Sequence, residues 1–259
     1  MCEQPLRNVS RVPVCPSCLR LPKPLQAEFF CRNCRTAFVS SFSLDEQGFC
    51  AVCRESLVSF DAAYSFGAYE GGLRKMIHLF KYGKVESLAE PLSKFLLLAI
   101  PLEAQFDTVI AMPMHWRKQW ERGFNQAKLL AEPIARRYGL TVADLLRRTR
   151  YTKAQAGLNE AQRRDNLKNS FCVRRPEQVV GKRVLLIDDV FTTGATLRAA
   201  AEVLKTAGAL HVTALTLARV DHHSPEKGRR SLESLRQKTG FAPSRENTEI
   251  EISAGPGVQ

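Results

Sequence analysis

Apolar and polar positions change period several times over residues 61–220, which indicates that strands and helices follow each other. Short continuous apolar runs predict buried strands, and apolar residues at three- and four-residue spacing predict amphipathic helices. Strands are predicted in this way at 106–113, 184–187 and 211–220, and helices at 123–138 and 195–207. Strands that alternate with helices are typical of an α/β fold with a doubly wound parallel sheet.

The two ends of the chain have different patterns. Residues 1–60 are rich in cysteine and are predicted to form a small N-terminal domain. Residues 61–220 are predicted to form the α/β domain. Residues 221–259 are rich in Ser, Arg and Glu and have little apolar periodicity, so a mostly disordered tail is expected there.

The composition and the net charge indicate where the protein is located in the cell and which class of partner it binds. The chain has 259 residues, 44% of them apolar, and a formal net charge of +12. Its longest apolar runs, such as 95–102, are far shorter than the ~20 residues of a membrane span. The first residues lack the layout of a signal peptide, so a cytoplasmic location is expected. The positive charge indicates polyanionic partners, phosphates or nucleic acid, without choosing between them.

The cysteines are concentrated at one end. Seven of the eight lie in the first 53 residues, and six of these form three Cys-x-x-Cys pairs. Two such pairs can complete a tetrahedral zinc site, with Zn–S distances of ~2.3 Å. Disulfides are the weaker alternative in a reducing cytoplasm. One complete set is predicted to bind structural Zn²⁺: Cys31, Cys34, Cys50 and Cys53.

The remaining pair, Cys15 and Cys18, needs two further ligands. Cys2 is a candidate, because the residues after it look like those that follow a Cys-x-x-Cys knuckle. Our hypothesis is that its partner lies upstream of this start, so that the N-terminal domain is a truncated double zinc ribbon. The alternative is that Cys2 is an unpaired terminal thiol. Cys172 stands alone between two apolar residues and is predicted to be a core residue.

The strongest indication of a ligand follows the predicted strand 184–187. Asp188 and Asp189 come directly after it, and the small, hydroxylated residues 192–196 lead into a helix. Ligands bind at the carboxyl ends of strands in open α/β folds, and backbone N–H groups at a helix start attract anions. The stretch therefore predicts a phosphate in the loop and sugar hydroxyls on the carboxylates. A Walker B strand would also end in acidic residues, but the chain has no G-x-x-x-x-G-K-[ST] motif.

This stretch resembles the signature of type I phosphoribosyltransferases that binds phosphoribosyl diphosphate (PRPP). The resemblance implies that Asp188 and Asp189 hold the ribose hydroxyls and, directly or through water, Mg²⁺. The implied reaction displaces pyrophosphate from the anomeric carbon by a nitrogen nucleophile. The chain shows no obvious general base or base-recognition element, so the acceptor stays undefined. The resemblance assigns the 5′-phosphate to Thr192, Thr193, Gly194, Ala195 and Thr196.

A second sequence motif indicates a particular family among the type I phosphoribosyltransferases. The Arg-Gly-Phe-Asn-Gln stretch at 122–126, the stretch at 188–196 and the cysteine-rich N-terminus occur together in the ComF family. Residues 69–71 and 79–82 also match that family, and the resemblance covers nearly all of 1–220. It implies a zinc ribbon joined to a type I phosphoribosyltransferase domain. It also implies a role in natural competence, with single-stranded DNA and the competence helicase machinery as partners.

Three basic residues follow the predicted strand 106–113. Arg117, Lys118 and Arg122 could neutralise a bound pyrophosphate by charge-assisted hydrogen bonds. A solvated basic loop is the alternative.

Residues 147–175 hold much of the positive charge. This segment contains nine basic and two acidic residues, which gives a local charge of +7. Such a segment could follow a phosphate backbone or close over PRPP, although it is poor in aromatic residues for base stacking. A solvated flexible loop is the alternative. By resemblance the segment is the family's mobile hood, and its candidate ligand- or nucleic-acid-binding residues are Arg148, Gln155, Arg163, Arg164 and Asn166.

Two functions follow, and they are compatible with each other. The first is a phosphoribosyltransferase that uses PRPP and Mg²⁺. The second is a non-catalytic competence protein that binds single-stranded DNA with the same fold.

Overall fold

The computed structural model describes residues 2, 11–55, 59–114, 120, 123–149 and 170–220. The chain divides into two units, and all of these residues belong to the first, Met1–Asp221. Among the described helices, none has the length and the apolar character that a membrane crossing requires. The segment limits at residues 60 and 220 stay predictions.

A parallel sheet forms the centre of the fold. Its four strands lie in the order β3 (Ala62–Ala68), β8 (His211–Arg219), β7 (Arg183–Phe191) and β4 (Thr108–Ala111), and every neighbouring pair is parallel, as predicted. Strand β7 runs past the predicted 184–187, because its pairing with β8 continues to Phe191. The strands of the described residues are β1 Phe29–Phe30, β2 Ala37–Phe38, β3 Ala62–Ala68, β4 Thr108–Ala111, β5 Leu146–Arg148, β6 Phe171–Val173, β7 Arg183–Phe191 and β8 His211–Arg219.

Helices cover both faces of this sheet, which confirms the doubly wound arrangement. Helices α3 (Gly71–Tyr82), α4 (Ala89–Ala99) and α5 (Gln126–Arg137) pack on one face, and α6 (Ala195–Thr206) packs on the other. Successive residues of β7 alternate accordingly, with Leu185 and Ile187 in one core and Val184 and Leu186 in the other. The helices are α1 Pro16–Leu19, α2 Ala51–Glu55, α3 Gly71–Tyr82, α4 Ala89–Ala99, α5 Gln126–Arg137 and α6 Ala195–Thr206.

Residues 11–55, which we call the cysteine module, pack against the sheet. Cys31, Cys34 and Cys50 are buried in the same apolar cluster as Phe60 and Leu197 of α6. The two-stranded antiparallel sheet β1-β2 lies within this module. The module therefore shares a core with the face of the sheet that α6 covers.

The start of α5 is fixed by Asn125. Its side-chain oxygen accepts a hydrogen bond from the backbone N–H of Ala127 at 3.0 Å, which is an N-cap. Its amide nitrogen donates to the carbonyl of Met112 at 3.1 Å. Asn125 thus joins the beginning of α5 to the residue that follows β4.

Strands β5 and β6 form a separate antiparallel pair, in which Arg148 lies opposite Phe171. The prediction that Cys172 is a core residue is wrong, because its side chain is exposed. Successive strand residues point to opposite sides, and here the inward position belongs to Phe171, which is buried. An apolar context therefore did not determine which side of so short a strand faces the core.

Candidate functional site

Strand β7 carries both predicted carboxylates to the carboxyl end of the sheet. Asp188 pairs in register with Thr216 of β8. The backbone N–H of Asp189 donates to the Asp188 carboxylate at 2.8 Å. Because successive residues of a strand face opposite sides, Asp189 meets α3 while Asp188 meets β5. The two carboxylates are thus neighbours with different surroundings.

Lys81, in the last turn of α3, is a site residue that sequence reasoning missed. Its Nζ lies 2.8 Å from Oδ1 of Asp189, and both side chains are only 14% exposed. A buried ammonium needs a charged partner, and Asp189 provides it. The available signal was spacing: Lys81 follows the buried residue Ile77 by four positions, which places it beside the apolar face of the helix.

The surroundings of Asp188 make its ionisation costly. Burial, and then the charge of Asp189, raises the pKa of Asp188 to about 7. The N–H of Asp189 and the cations Lys81 and Arg148 act in the opposite direction. A carboxyl group with such a pKa gains from a bound cation, since the cation favours its ionised form.

Arg148, at the end of β5, is the predicted hood residue that the structure brings to the site. Burial lowers the pKa of its guanidinium, and the nearby Asp188 carboxylate raises it. Its Cζ lies 5.5 Å from the centre of the Phe171 ring. The pairing of β5 with β6 therefore holds a cation near Asp188.

The predicted phosphate loop is a tight turn between β7 and α6. Gly194 precedes the helix with φ +74°, in the left-handed region. A Cβ at this position would lie 2.5 Å from Cζ of Phe191, so only glycine fits. The N–H of Ala195 donates to Oγ1 of Thr193 at 3.4 Å. The first N–H groups of a helix have no partner within the helix, so the start of α6 can bind an anion.

A groove of about 480 Å³ lies beside β4, next to Arg148. Its walls come from the residues after β4, the start of α5 and strand β5. One of its cations is paired, because Nη1 of Arg174 lies 2.7 Å from Oδ2 of Asp144. The groove has a surplus of positive charge, and its charged lining residues are Lys128, Asp144, Arg147, Arg148 and Arg174.

The predicted four-cysteine set comes together in the cysteine module. The sulfurs of Cys31, Cys34, Cys50 and Cys53 all lie within 4.8 Å of one another. Hydrogen bonds from the Cys31 and Cys50 thiols lower the pKa of Cys34, whereas those with Cys31 and Cys34 raise the pKa of Cys53. A divalent cation removes this conflict, because it binds all four as thiolates. The residues present therefore fit zinc.

Cys2, Cys15 and Cys18 form a second group, whose sulfurs also lie within 4.8 Å of one another. The backbone N–H of Cys2 donates to the Cys18 sulfur at 3.2 Å, and the Cys2 sulfur is 3.5 Å from that of Cys15. The structure thus brings Cys2 to the pair that needed ligands. Both cysteine clusters could hold zinc.

Several predicted site residues lie outside the described residues. They are the three of the basic loop and four of the hood, namely Arg117, Lys118, Arg122, Gln155, Arg163, Arg164 and Asn166. The predicted tail, 221–259, also lies outside.

The sequence is similar to those of several known proteins. Residues 125–239 match a family model described as a phosphoribosyl transferase domain. The DNA utilization protein YhgH of Escherichia coli O157:H7 is 33% identical over 178 residues, which are 66% of this chain and 77% of YhgH. Competence protein F of Haemophilus influenzae is 30% identical over 178 residues, which are 66% of this chain and 78% of that protein.

A solved structure, the glutamine PRPP amidotransferase of B. subtilis with ADP and GMP, is 21% identical with a TM-score of 0.36. The match covers 60% of this chain and 34% of that one, so the chain spans about a third of the length of this structure.

The parallel sheet and the matched domain define a protein with a phosphoribosyltransferase domain. The relatives, together with the N-terminal cysteine clusters, show that the chain belongs to the ComF family of competence-related proteins.

Proposed function

We propose that the chain binds a phosphoribosyl ligand, PRPP in the first instance, together with Mg²⁺ at the carboxyl end of β7. One observation carries this proposal: a strand with two carboxylates near its carboxyl end is followed directly by a glycine turn and a helix start. Carboxylates suit a polyhydroxylated sugar with its metal, and the turn suits a phosphate. A phosphorylated ribose has both features within one small molecule.

Asp188 and Asp189 would bind the ribose hydroxyls and the metal. Carboxylate oxygens are ligands that Mg²⁺ prefers. The raised pKa of Asp188 supports a cation in this place, because the ion would make the charged form favourable. When bound, Mg²⁺ neutralises charge on the diphosphate and so makes it a better leaving group.

The 5′-phosphate would lie in the loop of residues 192–196. Backbone N–H groups at the start of α6 would donate to its oxygens, and the hydroxyls of Thr192, Thr193 and Thr196 would add further donors. Gly194 supports this role, because its left-handed conformation makes the turn tight enough to present consecutive N–H groups.

We further propose that the bound ligand reacts by phosphoribosyl transfer. A nitrogen nucleophile of the acceptor forms a C–N bond to the anomeric carbon while the C–O bond to diphosphate breaks. The proton of the nucleophile passes to the diphosphate or to solvent. Such a reaction depends on positioning and on stabilising the leaving charge. Lys81 and Arg148 lie close enough to the two carboxylates to help stabilise the leaving charge.

Calorimetry with PRPP and Mg²⁺ tests the binding proposal. We expect saturable binding by the wild type, and a loss of at least about 10-fold in affinity for Asp188→Asn and Asp189→Asn, since each removes a charged acceptor. Asp107→Asn is the matched control, because Asp107 pairs with Arg183 at the opposite end of β7. An absence of PRPP binding by the wild type would overturn the proposal.

A second function, the binding of single-stranded DNA in competence, is favoured by the basic groove. Arg147 is exposed on β5, and Lys128 and Arg148 line the same groove. Relatives are named for DNA utilization and for competence. We propose that the groove binds phosphates of a single strand, with the competence helicase machinery as the protein partner. The cytoplasm is the compartment that this role and zinc-binding thiols require.

The salt dependence of DNA affinity tests this second function. Arg147→Gln should flatten the slope of log K against log salt by about 0.7, the value for one phosphate contact with a single strand. Arg136→Gln is the control, because Arg136 is 67% exposed on the far end of α5. Equal slopes for the wild type and Arg147→Gln would show that the groove does not contact DNA.

A further inference from the structure

Arg219, the last residue of β8, is a charged residue that is only 4% exposed. Its Nη1 donates to the carbonyl of Cys34 at 2.7 Å, and its Nη2 donates to Oγ1 of Thr36 at 2.7 Å. Both acceptors belong to the turn that presents Cys31 and Cys34 to the four-cysteine cluster. The end of the central sheet is therefore bound directly to the predicted zinc site.

The hydroxyl of Thr36 extends this contact to a metal ligand. Its Oγ1 lies 2.9 Å from the Cys34 sulfur. A guanidinium N–H can only donate, so Thr36 accepts from Arg219 and its own proton is available to the sulfur. Hydrogen bonds of this kind commonly orient metal ligands and tune the site. Arg219 thus contacts Cys34 through the carbonyl and, by way of Thr36, through the sulfur.

On its other side, Arg219 supports the phosphate loop. Its Cζ lies 4.6 Å from the centre of the Phe191 ring. The same ring lies against Gly194, where even a Cβ would come within 2.5 Å. The carbonyl of Phe191 also accepts from the N–H of Val220 at 2.8 Å. A movement of the Phe191 ring would therefore be transmitted to the loop, because no free space separates them.

A second set of contacts joins the same two places. Asn33, inside the Cys31–Cys34 knuckle, donates from Nδ2 to the carbonyl of Phe60 at 3.1 Å. The Phe60 ring then packs edge-on against Phe191, with 6.3 Å between the ring centres. The knuckle thus reaches Phe191 by two routes, one polar and one apolar.

We propose that metal binding by the four-cysteine cluster and ligand binding by the phosphate loop are coupled through Arg219 and Phe191. Arg219 is the positioning residue: the metal fixes the knuckle, the knuckle fixes Arg219, and Arg219 holds the ring on which Gly194 rests. The proposal rests on the proposed function, since it needs a phosphorylated ligand in the loop. Because coupling is reciprocal, PRPP must raise the affinity for zinc by the factor by which zinc raises the affinity for PRPP.

The test is an equilibrium competition for zinc between the full chain and the chromogenic chelator 4-(2-pyridylazo)resorcinol, at constant Mg²⁺, with and without PRPP. All proteins carry Cys15→Ser, which weakens the three-cysteine cluster and leaves the four-cysteine cluster intact. For this background we expect PRPP to tighten zinc binding by about 5-fold or more. Arg219→Met and Thr36→Val, which remove the donor and the hydroxyl, should reduce this tightening. Arg183→Met, at the opposite end of the sheet, should retain it.

The possible outcomes distinguish a failure of the coupling from a failure of the proposed PRPP binding. If PRPP binds by calorimetry but leaves zinc affinity unchanged, the coupling is overturned and the proposed function stands. If PRPP does not bind at all, both are overturned. If Arg219→Met does not fold, Thr36→Val decides, because valine keeps the volume of threonine and replaces only its hydroxyl with a methyl group. Full tightening in a folded Thr36→Val together with a folded Arg219→Met would also overturn the coupling.

Discussion

The two ends of strand β7 are both charged, but their charges are arranged in opposite ways. At the amino end, Nη2 of Arg183 lies 2.7 Å from Oδ1 of Asp107, and Nε lies 3.0 Å from Oδ2. These bonds, and one from the Arg183 N–H, lower the pKa of Asp107. At the carboxyl end, burial and the charge of Asp189 raise the pKa of Asp188.

This difference separates a structural ion pair from the proposed ligand site. At the amino end each charge has a partner within the protein, so the contacts favour folding. At the carboxyl end Lys81 pairs with Asp189, but burial and the Asp189 charge disfavour the ionised form of Asp188, which a bound cation would stabilise. Perturbed pKa values occur in both settings, and here the direction of the shift distinguishes them. Predictions that substitute matched residues at the two ends test this comparison.

Glycine substitutions should produce the largest difference. Gly194 at the carboxyl end and Gly181 at the amino end both have φ near +70°, at +74° and +70°. Alanine at either costs about 1–3 kcal/mol for the left-handed backbone. At Gly194 the new Cβ would also clash with Phe191, whereas at Gly181 nothing lies within 4 Å. Gly194→Ala should therefore lose more stability in chemical denaturation and also lose PRPP binding, and equal effects would contradict the comparison.

Removal of the cation that is paired with Asp189 should have the next largest effect. Lys81→Met leaves the Asp189 carboxylate, which is 14% exposed, without this ion pair. Breaking a buried pair in this way typically costs about 3–5 kcal/mol, and partial exposure reduces that figure. We expect a loss of about 2 kcal/mol in unfolding free energy. Arg174→Met is the control, because its pair with Asp144 is largely exposed; a similar loss there would show that Lys81 is not special.

The same substitution at the two ends should change stability in opposite directions. Asp188→Asn removes a carboxyl group whose ionisation is disfavoured in the fold, so the ligand-free protein should gain about 1 kcal/mol at neutral pH. It should lose PRPP binding at the same time, which is the usual cost of a stabilised active site. Thermal unfolding without ligand measures the first effect and calorimetry the second. A destabilised Asp188→Asn would show that the carboxylate is held by contacts that favour folding.

Strand periodicity explains what could be predicted from the sequence. The apolar run before Asp188 fixes a buried strand, and a glycine after small hydroxylated residues fixes a turn before a helix. These signals are local, so the parallel sheet and the candidate phosphate loop follow from them. The paired Cys-x-x-Cys spacing is equally local and predicts the four-cysteine cluster that the structure assembles.

Contacts between distant segments account for what was missed. Lys81 meets a carboxylate that is more than a hundred residues away in the chain. Arg219 follows an apolar run, so the sequence indicates only that the strand ends there. Its acceptor, the carbonyl of Cys34, is 185 residues away in the chain. No spacing rule connects such pairs, because they meet only after the sheet and the cysteine module have packed together. The prediction for Cys172 was wrong because a strand of three residues is too short to show which of its positions are apolar by period.

The smallest effect is expected at the amino end. Asp107→Asn should destabilise the protein by less than about 1 kcal/mol, because the pair is partly exposed and screened by solvent. A lowered pKa means that this contribution is present above the unfolded-state value of about 4 and is lost as the pH falls below it. The difference in unfolding free energy between wild type and variant should therefore shrink in acid. Wild type and variant are compared at each pH, so that any loss of metal in acid affects both proteins equally. A difference in unfolding free energy that stays constant below pH ~4 would contradict a stabilising role for the ionised Asp107.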